Sequence, residues 1–387
     1  IIFDMLEHPY FQRQRHIKQL GFTFLVYPGA MHTRFSHALG ALNLMNRALE
    51  VLKVKGVEMT YDEVLGARLA ILLHDIGHGP FSHVLEHTLI SGVDHEEISL
   101  MLMERMNRDL GGRLDLAICI YRDEYPKRFL HQLVSSQLDM DRLDYLRRDS
   151  FFTGVTEGNI GSARIIKMLS VKDDQLVVDS KGIYSIENFL TARRLMYWQV
   201  YLHKTSVASE KMLINALTRA KELAAGGTEL FCSPALRYFL YSHVTGDMFR
   251  SDASCLDHFI ELDDNDIWCA LKVWASHTDV ILRTLSSGLV NRRLFRVQID
   301  NNPFSSDYKK QLIDDISEQL GIIKKDAARY LMVNTTLEKD MYSTGDDQIG
   351  ILYRDGTTKD IAEASDMFNL ALLEKKVRKY FLCYYRL

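Results

Sequence analysis

The chain has 387 residues, which is enough for one large domain or two ordinary ones with a sizeable core. Hydrophobic residues make up 47% and charged residues 25% of it, as in an ordinary soluble globular protein. The net charge of −4 provides no overall basic field for nucleic acid, so phosphate binding must come from local arginines and lysines.

The five cysteines are widely spread and form no CxxC pair. This odd, scattered set is typical of reduced thiols in a cytoplasmic protein rather than of a disulfide framework or a zinc ribbon. No run of about 18 apolar residues occurs, so we expect no membrane span. The chain opens on Ile1 in mid-pattern, so we expect residues upstream of it, and nothing resembles a signal peptide.

Long stretches with apolar residues at helical spacing, together with only six prolines, predict a mainly α protein. Helices are expected over residues 35–54, 61–74, 96–110, 129–148 (one or two helices) and 186–225 (one very long or broken helix). The second helix has Thr60 as its expected cap, with Glu63 three residues later in the pattern of a capping box.

Two small β hairpins are also predicted. One would pair residues 176–178 with 183–184 around the turn Ser180-Lys181-Gly182. The other, within 349–361, would turn at Asp355-Gly356, a strong hairpin signal.

A shift in composition after Gly227 predicts a catalytic domain over 1–227 and a C-terminal, mostly helical region over 228–387. Within the second region, residues 229–340 are expected to be helical, with a break at Asn301-Asn302-Pro303.

The run ILLHDIGHGPFSH at 71–83 is the most informative segment of the chain. It places His74 and Asp75 directly after a stretch that is expected to be a buried helix. Burying this pair costs free energy unless both groups are bonded or coordinated. Because imidazole and carboxylate form a mixed ligand set for a transition metal, the segment indicates a metal site.

A second informative segment is QLDMDRLDYLRRD at 137–149. Asp141, Tyr145 and Asp149 lie at positions i, i+4 and i+8, so a helix places them on one face. Two carboxylates and a phenol that point the same way among apolar neighbours indicate the lining of a pocket. Arg147 and Arg148 fit a solvated helix face, with pairing to Asp144.

The order H…HD…D, with HDIGHGPFSH and DMDRLDYLRRD, closely resembles the HD-domain phosphohydrolases. Within that family the chain looks most like the deoxynucleoside triphosphate triphosphohydrolases. The stretches FQRQRHIKQLG…VYPGAMHTRFSHALG and ARRLMYWQVYLHK resemble the same group. The resemblance covers roughly residues 7–225 and implies an HD-domain helical bundle as the core.

The resemblance also implies roles for individual residues. The implied metal ligands are His37, His74, Asp75 and Asp141. The implied catalytic pocket around the α-phosphate consists of His78, His83, Glu86 and His95. The implied substrate-binding residues are Gln19, Arg34, Arg142, Tyr145, Asp149, Arg193 and Tyr201, of which the three arginines contact phosphates and the others hold the deoxyribose.

Two imidazoles and two carboxylates leave open positions on a metal, as catalysis requires. This ligand set suits Mn, Fe, Zn, Co or Ni, and Mg could be added with the nucleotide. Among the histidines we favour His83 as the proton donor to the leaving O5′, with His78, Glu86 and His95 as an orienting or relay group. We interpret His131, His203 and His243 as structural.

The expected reaction is metal-dependent hydrolysis of deoxynucleoside triphosphates to deoxynucleoside and inorganic triphosphate. The alternatives are an HD phosphohydrolase acting on a nucleoside monophosphate or cyclic nucleotide, and a non-catalytic nucleotide- or nucleic-acid-binding module. The expected partner is a nucleoside triphosphate substrate. We expect no association with a membrane, and nucleic acid is disfavoured as a ligand. The resemblance further implies a homo-oligomer, a dimer or a tetramer, with Gln12, Arg15 and Lys204 as candidate contacts for a regulatory nucleotide.

Overall fold

The protein is mainly helical, as its sequence predicts. The computed structural model describes residues 1–81, 84, 88–339, 342, 348–367 and 377–387. Up to residue 227 the helices are α1 (Ile2–Glu7), α2 (Pro9–Gln12), α3 (Arg34–Val54), α4 (Tyr61–Leu73), α5 (His95–Asp109), α6 (Asp115–Tyr121), α7 (Arg128–Gln132), α8 (Met140–Thr153), α9 (Ser162–Met168), α10 (Ile183–Met196) and α11 (Lys204–Ala225). Beyond it they are α12 (Pro234–Tyr241), α13 (Gly246–Ser251), α14 (Ala253–Glu261), α15 (Asp264–Trp274), α16 (Val280–Val290), α17 (Ser306–Leu320), α18 (Lys324–Tyr330) and α19 (Ile361–Ala364).

Helix α3 packs against both α4 and α8 at the centre of the first region. The inner side of α3 is an apolar stripe that includes Ala41, Met45 and Leu52, each fully buried. Helix α4 begins at the predicted capping box, in which the Thr60 hydroxyl accepts from the Glu63 amide and the Glu63 carboxylate accepts from the Thr60 amide. These bonds satisfy backbone donors that a helix start leaves free.

The predicted long helix over 186–225 is broken. Helix α10 is followed by a π-helical turn over Tyr197–Tyr201, and α11 then starts after His203. The change of direction between these helices places Tyr201 next to α8, where its hydroxyl bonds to Asp149.

Short strands form three sheets in the described part of the chain. The strands are β1 (Ile90–Ser91), β2 (Leu169–Lys172), β3 (Gln175–Asp179), β4 (Val244–Thr245), β5 (Arg296–Asp300), β6 (Met332–Lys339), β7 (Gly350–Leu352), β8 (Thr358–Asp360) and β9 (Val377–Tyr384). The sheet orders are β1-β4, β2-β3-β7-β8 and β5-β9-β6. The hairpin predicted at Asp355-Gly356 is confirmed, because β7 and β8 pair antiparallel on either side of it.

The hairpin predicted around 180–182 is wrong. Strand β3 pairs instead with the preceding strand β2, and residues 183–184 begin α10. The turn between β2 and β3 consists of Asp173 and Asp174, both with positive φ (51° and 56°). Two consecutive positive φ angles are the signature of the tight hairpin turn whose twist matches that of the strands.

The segment 229–340 is mostly helical and breaks near residues 301–303, as predicted, but its described part also contains three strands that were not predicted, the short β4 and the longer β5 and β6. Of these, β5 and β6 pair antiparallel with β9 from the end of the chain. Strand β7 also pairs parallel with β3, so the region after Gly227 contacts the first region through a shared sheet.

Among the described residues, none of the helices is long and apolar enough to cross a membrane.

Candidate metal centre

Three helix ends bring together His37, His74 and Asp141. His37 lies on the first turn of α3, His74 directly follows α4, and Asp141 lies on the first turn of α8. Asp141 Oδ1 is 3.0 Å from His37 Nε2 and 3.4 Å from His74 Nε2. The candidate ligand atoms of the three residues all lie within 4.8 Å of one another, a spacing that one metal ion can bridge.

The imidazoles are oriented for a metal by the bonds at their other nitrogens. The Nδ1 atom of His74 donates to the Ile71 carbonyl at 2.7 Å, and Nδ1 of His37 lies 2.8 Å from Asp144 Oδ2. With Nδ1 as the donor, Nε2 of each ring keeps the lone pair that binds a metal. In the described part of the chain both Nε2 atoms are buried without a hydrogen-bond partner of acceptable geometry, so the residues present fit a metal ion.

Asp75, the fourth predicted ligand, lies at the edge of this cluster. Its Oδ1 is 3.5 Å from His74 Nε2, and its Oδ2 is 4.0 Å from His37 Nε2. The same Oδ2 accepts from Arg34 Nη1 at 2.6 Å. Arg34, predicted to contact phosphate, is thus an ion-pair partner of a predicted metal ligand.

The charged groups change one another's pKa values. Burial raises the pKa of Asp141, but the adjacent His37 and His74 rings lower it below its ordinary value. Burial lowers the pKa of His37, but Asp141 and Asp144 together raise it to about 10. The site therefore concentrates negative charge around the histidine nitrogens, and a metal cation would compete with protons for them.

Behind Asp75 lie His78 and His95, two of the predicted catalytic residues. Their rings stack with centroids 3.9 Å apart, and His78 Nε2 is 3.4 Å from Asp75 Oδ1. Burial and the nearby Arg34 lower the pKa of His78 well below its ordinary value, so it is neutral at pH 7. The other two, His83 and Glu86, lie outside the described residues.

Gly77 lets α5 approach this loop closely. A Cβ there would lie 2.3 Å from the His95 carbonyl oxygen and 2.3 Å from the Ser99 amide nitrogen. The Gly77 amide donates to the Ser99 hydroxyl at 2.9 Å, which fixes the two segments to each other.

The predicted sugar-binding residues meet along α8. The Tyr201 hydroxyl donates to Asp149 Oδ2 at 2.8 Å, and the Tyr145 and Tyr201 rings lie 6.1 Å apart in an edge-on arrangement. The other oxygen of Asp149 is 2.7 Å from His32 Nε2, and the His32 carbonyl accepts from the Gln19 amide at 3.0 Å. Asp149 thus joins Tyr201 to His32, a residue that the sequence did not single out, and His32 in turn bonds to the backbone of Gln19.

Arg142 and Arg193, predicted to contact phosphate, both bond to the loop before α8. Arg142 Nε donates to the Ser136 carbonyl at 2.6 Å, and Arg193 Nη1 donates to Gln137 Oε1 at 2.9 Å. Two predicted phosphate-binding residues therefore lie at the same end of α8 as the candidate metal ligand Asp141.

A cavity of about 430 Å³ opens beside the metal ligands. His74, Asp75, His95 and Asp141 line it, together with carboxylates, the Tyr121 ring and His131. His131 was interpreted as structural, and its Nδ1 does bond to the Ile120 carbonyl at 2.9 Å, but its ring also forms part of this wall. Tyr121 gave no sequence signal beyond helical spacing.

Asp144 and Arg148 lie next to Asp141 on α8 and act on the metal centre through His37. Arg148 donates to both oxygens of Asp144, at 2.8 and 2.9 Å, and Asp144 in turn bonds to His37. The predicted ion pair between Asp144 and Arg148 is present. It does not lie on a solvated face but orients the candidate metal ligand His37. The i+3 spacing between Asp141 and Asp144 was the signal that could have identified this role.

The candidate regulatory residues Gln12 and Arg15 contact each other near the start of α3. Arg15 Nε donates to Gln12 Oε1 at 2.7 Å, and its guanidinium lies 3.6 Å from the centre of the Phe35 ring. Lys204, the third candidate, is the exposed first residue of α11.

Comparisons with known proteins agree with this architecture. The HD domain family matches residues 34–149, and the HD-associated region matches residues 160–231. A solved structure described as a phosphohydrolase from Bacteroides thetaiotaomicron is 62% identical, covers 100% of this chain and 96% of its own, and superposes with a TM-score of 0.97. The uncharacterized protein YwfO of Bacillus subtilis is 32% identical over 380 residues, which are 94% of this chain and 84% of YwfO.

More distant relatives have named activities. The deoxynucleoside triphosphate triphosphohydrolase SAMHD1 homolog of Dictyostelium discoideum is 32% identical over 246 residues, which are 57% of this chain and 46% of that protein. The matched part spans about half of such relatives. The chain belongs to the HD-domain phosphohydrolases and is related to SAMHD1-like proteins.

Proposed function

We propose that this protein hydrolyses deoxynucleoside triphosphates to deoxynucleoside and inorganic triphosphate, with a divalent transition metal. The observation that carries the proposal is the single face of α8 on which Asp141, Tyr145 and Asp149 follow one another. Tyr145 and Asp149 lie about 6 and 12 Å along the helix axis from the metal ligand. This spacing would place a phosphate end and a sugar end on one face of the helix.

The relatives support the same substrate class. The SAMHD1 proteins of Dictyostelium discoideum, Gallus gallus and Danio rerio, all described as deoxynucleoside triphosphate triphosphohydrolases, are 32%, 28% and 27% identical over the matched part. Three of the predicted deoxyribose contacts, Asp149, Tyr201 and the backbone of Gln19, are joined through His32, and the Tyr145 ring lies against that of Tyr201. This clustering supports a site for a sugar.

The metal would be held by His37, His74 and Asp141, with Asp75 as the fourth ligand. It would supply Lewis-acid chemistry at the phosphoryl group and lower the pKa of a water ligand. Arg34 now bonds to Asp75, so substrate binding would exchange that carboxylate for a phosphate oxygen and free Asp75 for the metal. Arg142 and Arg193 would likewise exchange Ser136 and Gln137 for the polyphosphate, since guanidinium groups bind phosphate oxygens strongly.

The remaining histidines would move protons. A neutral His78, stacked on His95, would accept or relay a hydrogen bond next to Asp75 rather than carry a positive charge. Protonation of the leaving O5′ is assigned to His83.

The test is product analysis after incubation with Mn²⁺ or Mg²⁺ and each deoxynucleoside triphosphate, singly and as a mixture of four. The double variant His74→Ala/Asp75→Ala serves as the blank. Triphosphate from single nucleotides supports the proposal and shows that no second nucleotide is needed. Triphosphate from mixtures alone supports the proposal together with regulation through Gln12, Arg15 and Lys204.

Release of no triphosphate with either metal would overturn the proposal. Faster turnover of a nucleoside monophosphate or a cyclic nucleotide would favour the alternative phosphoester reaction on the same metal centre. Salt-sensitive binding of single-stranded nucleic acid without hydrolysis would favour a binding module.

A further inference from the structure

The turn that follows the HDIGHGP segment is strained at Phe81. Its φ of 54° lies in the left-handed region, which an aromatic residue rarely adopts because its Cβ crowds the backbone. Such a conformation costs free energy and persists only where the surroundings hold it in place. Phe81 is three residues after His78. The contacts that hold Phe81 therefore also shape the segment 75–81, which we call the catalytic loop.

The contact that holds the turn comes from the C-terminal region. The Phe81 amide donates to Asp264 Oδ1 at 3.1 Å, across 183 positions of sequence. The other oxygen of Asp264 accepts from the Lys18 amide at 3.0 Å, and Lys18 Nζ lies 3.4 Å away from it. Lys18 directly precedes Gln19, so one carboxylate joins the catalytic loop to a predicted sugar-binding segment.

Asp264 is not needed to start its own helix. The capping box of α15 is made by Asp263 and Asp266, which exchange bonds with each other's backbone amides. Asp264 is 2% exposed, and a buried carboxylate costs free energy unless it is bonded. Its bonds go to Lys18 and Phe81 rather than to α15, so they indicate that this carboxylate links the segments of those two residues.

Aromatic packing places α15 against the same turn. The Phe81 ring stacks on Phe22 with centroids 4.4 Å apart, and Phe22 lies 6.1 Å from Trp268 of α15. Gly21 packs beside Phe81 with a φ of 49°, in the left-handed region that favours glycine.

We propose that Asp264 is a positioning residue that sets the geometry of the catalytic loop through Phe81 and of the Gln19 segment through Lys18. This inference rests on the proposed function, since the loop and the segment are assigned to the phosphate and sugar ends of the substrate. It gives the region after Gly227 a direct part in the site, although Asp264 would not touch the substrate.

The test compares Asp264→Ala and Asp264→Asn with the control Asp266→Asn, which makes the same charge change on the same helix without contacting Phe81 or Lys18. Asparagine keeps one acceptor oxygen and alanine keeps none. We therefore expect kcat to fall about tenfold in Asp264→Asn and up to about a hundredfold in Asp264→Ala, because small displacements in an active site have effects of that order. Asp266→Asn should retain the wild-type kcat.

A second readout does not depend on activity. Hydrogen exchange, followed by mass spectrometry, should show faster exchange in peptides covering residues 75–81 and 17–20 in the Asp264 variants, by about tenfold or more. Peptides from α4 should exchange as in the wild type in all three variants. A loss of protection over the whole chain would mean that Asp264 only stabilises the fold, which would overturn the inference.

The two readouts separate this inference from the proposed function. If the wild type releases no triphosphate, the function fails, and local exchange in 75–81 and 17–20 alone decides whether Asp264 positions these segments. If the wild type is active and Asp264→Ala matches Asp266→Asn in kcat and in exchange, the positioning role is wrong.

Discussion

Two adjacent faces of α8, three residues apart along the helix, carry the same kind of residue for different purposes. On one face Asp141 lies against two imidazole nitrogens that have no other partner of acceptable geometry among the described residues, and its side chain is 27% exposed beside a cavity. On the other face Asp144 is 8% exposed and bonds to His37 and Arg148. Both carboxylates contact the ring of His37, one at Nε2 and the other at Nδ1.

This difference shows that the role of a carboxylate depends on which groups balance its negative charge. Asp144 is bonded to Arg148 and to His37, so its negative charge is already balanced and it can only orient the imidazole. Asp141 is balanced by histidines whose nitrogens suit a metal as well as a proton. We therefore assign metal binding to the face of Asp141 and orientation of the ligand His37 to the face of Asp144.

The largest effect is expected from the face that binds the metal. Asp141→Ala removes a ligand, so we expect loss of bound metal and a fall in hydrolysis of about a thousandfold, as losing several kcal/mol of transition-state stabilisation implies. Mass spectrometry measures the bound metal, and initial rates measure the hydrolysis. The control is Arg147→Ala, which changes an exposed residue of the same helix, and a metal-loaded Asp141→Ala protein would contradict the assignment.

A smaller effect is expected from the orienting face. Asp144→Asn keeps the shape but weakens the bond to His37 Nδ1, so we expect the affinity for Mn²⁺ to fall about 10- to 100-fold. Isothermal titration calorimetry measures this affinity directly. If the dissociation constant stays at the wild-type value, the two faces of α8 are not coupled through His37.

The same coupling can be disturbed without changing a charge. A Cβ on Gly40 of α3 would lie 2.0 Å from both Asp144 Oδ1 and Arg148 Nη2, so Gly40→Ala must displace this ion pair. We expect a loss of about 1–3 kcal/mol in the free energy of unfolding, the usual cost of overpacking, and weaker Mn²⁺ binding.

The control for Gly40→Ala is Gly161→Ala, where a Cβ would meet nothing within 4 Å. Chemical denaturation and calorimetry should detect no comparable change in that variant. Equal stability of the Gly40→Ala and Gly161→Ala proteins would show that the contact between α3 and α8 is looser than the distances indicate.

The smallest effect is expected from a buried carboxylate remote from the metal, Glu63 of the α4 capping box. Burial raises its pKa, but bonds from Lys127, the Thr60 amide and Tyr125 outweigh burial and lower the pKa below its ordinary value. A lowered pKa in the folded state stabilises the protein above the unfolded pKa, and this contribution is lost as the pH falls through the folded pKa.

Glu63→Gln should therefore destabilise the protein by about 1 kcal/mol at pH 7. The difference from the wild type should shrink as the pH falls below about 4, the ordinary range of a glutamate. Denaturation curves at several pH values measure this difference, and Mn²⁺ affinity at pH 7 should be unchanged. A difference that grows on acidification would contradict the sign of the pKa shift.

The sequence predicted the parts of the site that depend on local spacing. The stripe of Asp141, Tyr145 and Asp149, the capping box at Thr60 and the helices that carry the metal ligands all appear where the pattern placed them. The hairpin at 180–182 was wrong because Asp173 and Asp174 adopt the positive φ angles of a tight turn, a conformation for which Asn-Gly or Asp-Gly is the usual signal.

The strands of the C-terminal region were missed for a different reason. Strand β5 pairs with β9 about 80 positions later, and β6 lies on the other side of β9. Hydrophobic periodicity is a local signal, so it does not identify a partner strand that is remote in sequence.

The sequence by itself determined the helical class of this protein and the shared face of Asp141, Tyr145 and Asp149 on α8, because these depend on periods only a few residues long. The tertiary structure alone decided that Asp144 takes Nδ1 of His37 and leaves Nε2 available, that Arg34 pairs with Asp75, and that the Phe81 amide bonds to Asp264. Those features depend on side chains more than 40 and up to 183 positions apart. Such contacts form only when the whole chain packs and buried polar groups must find partners.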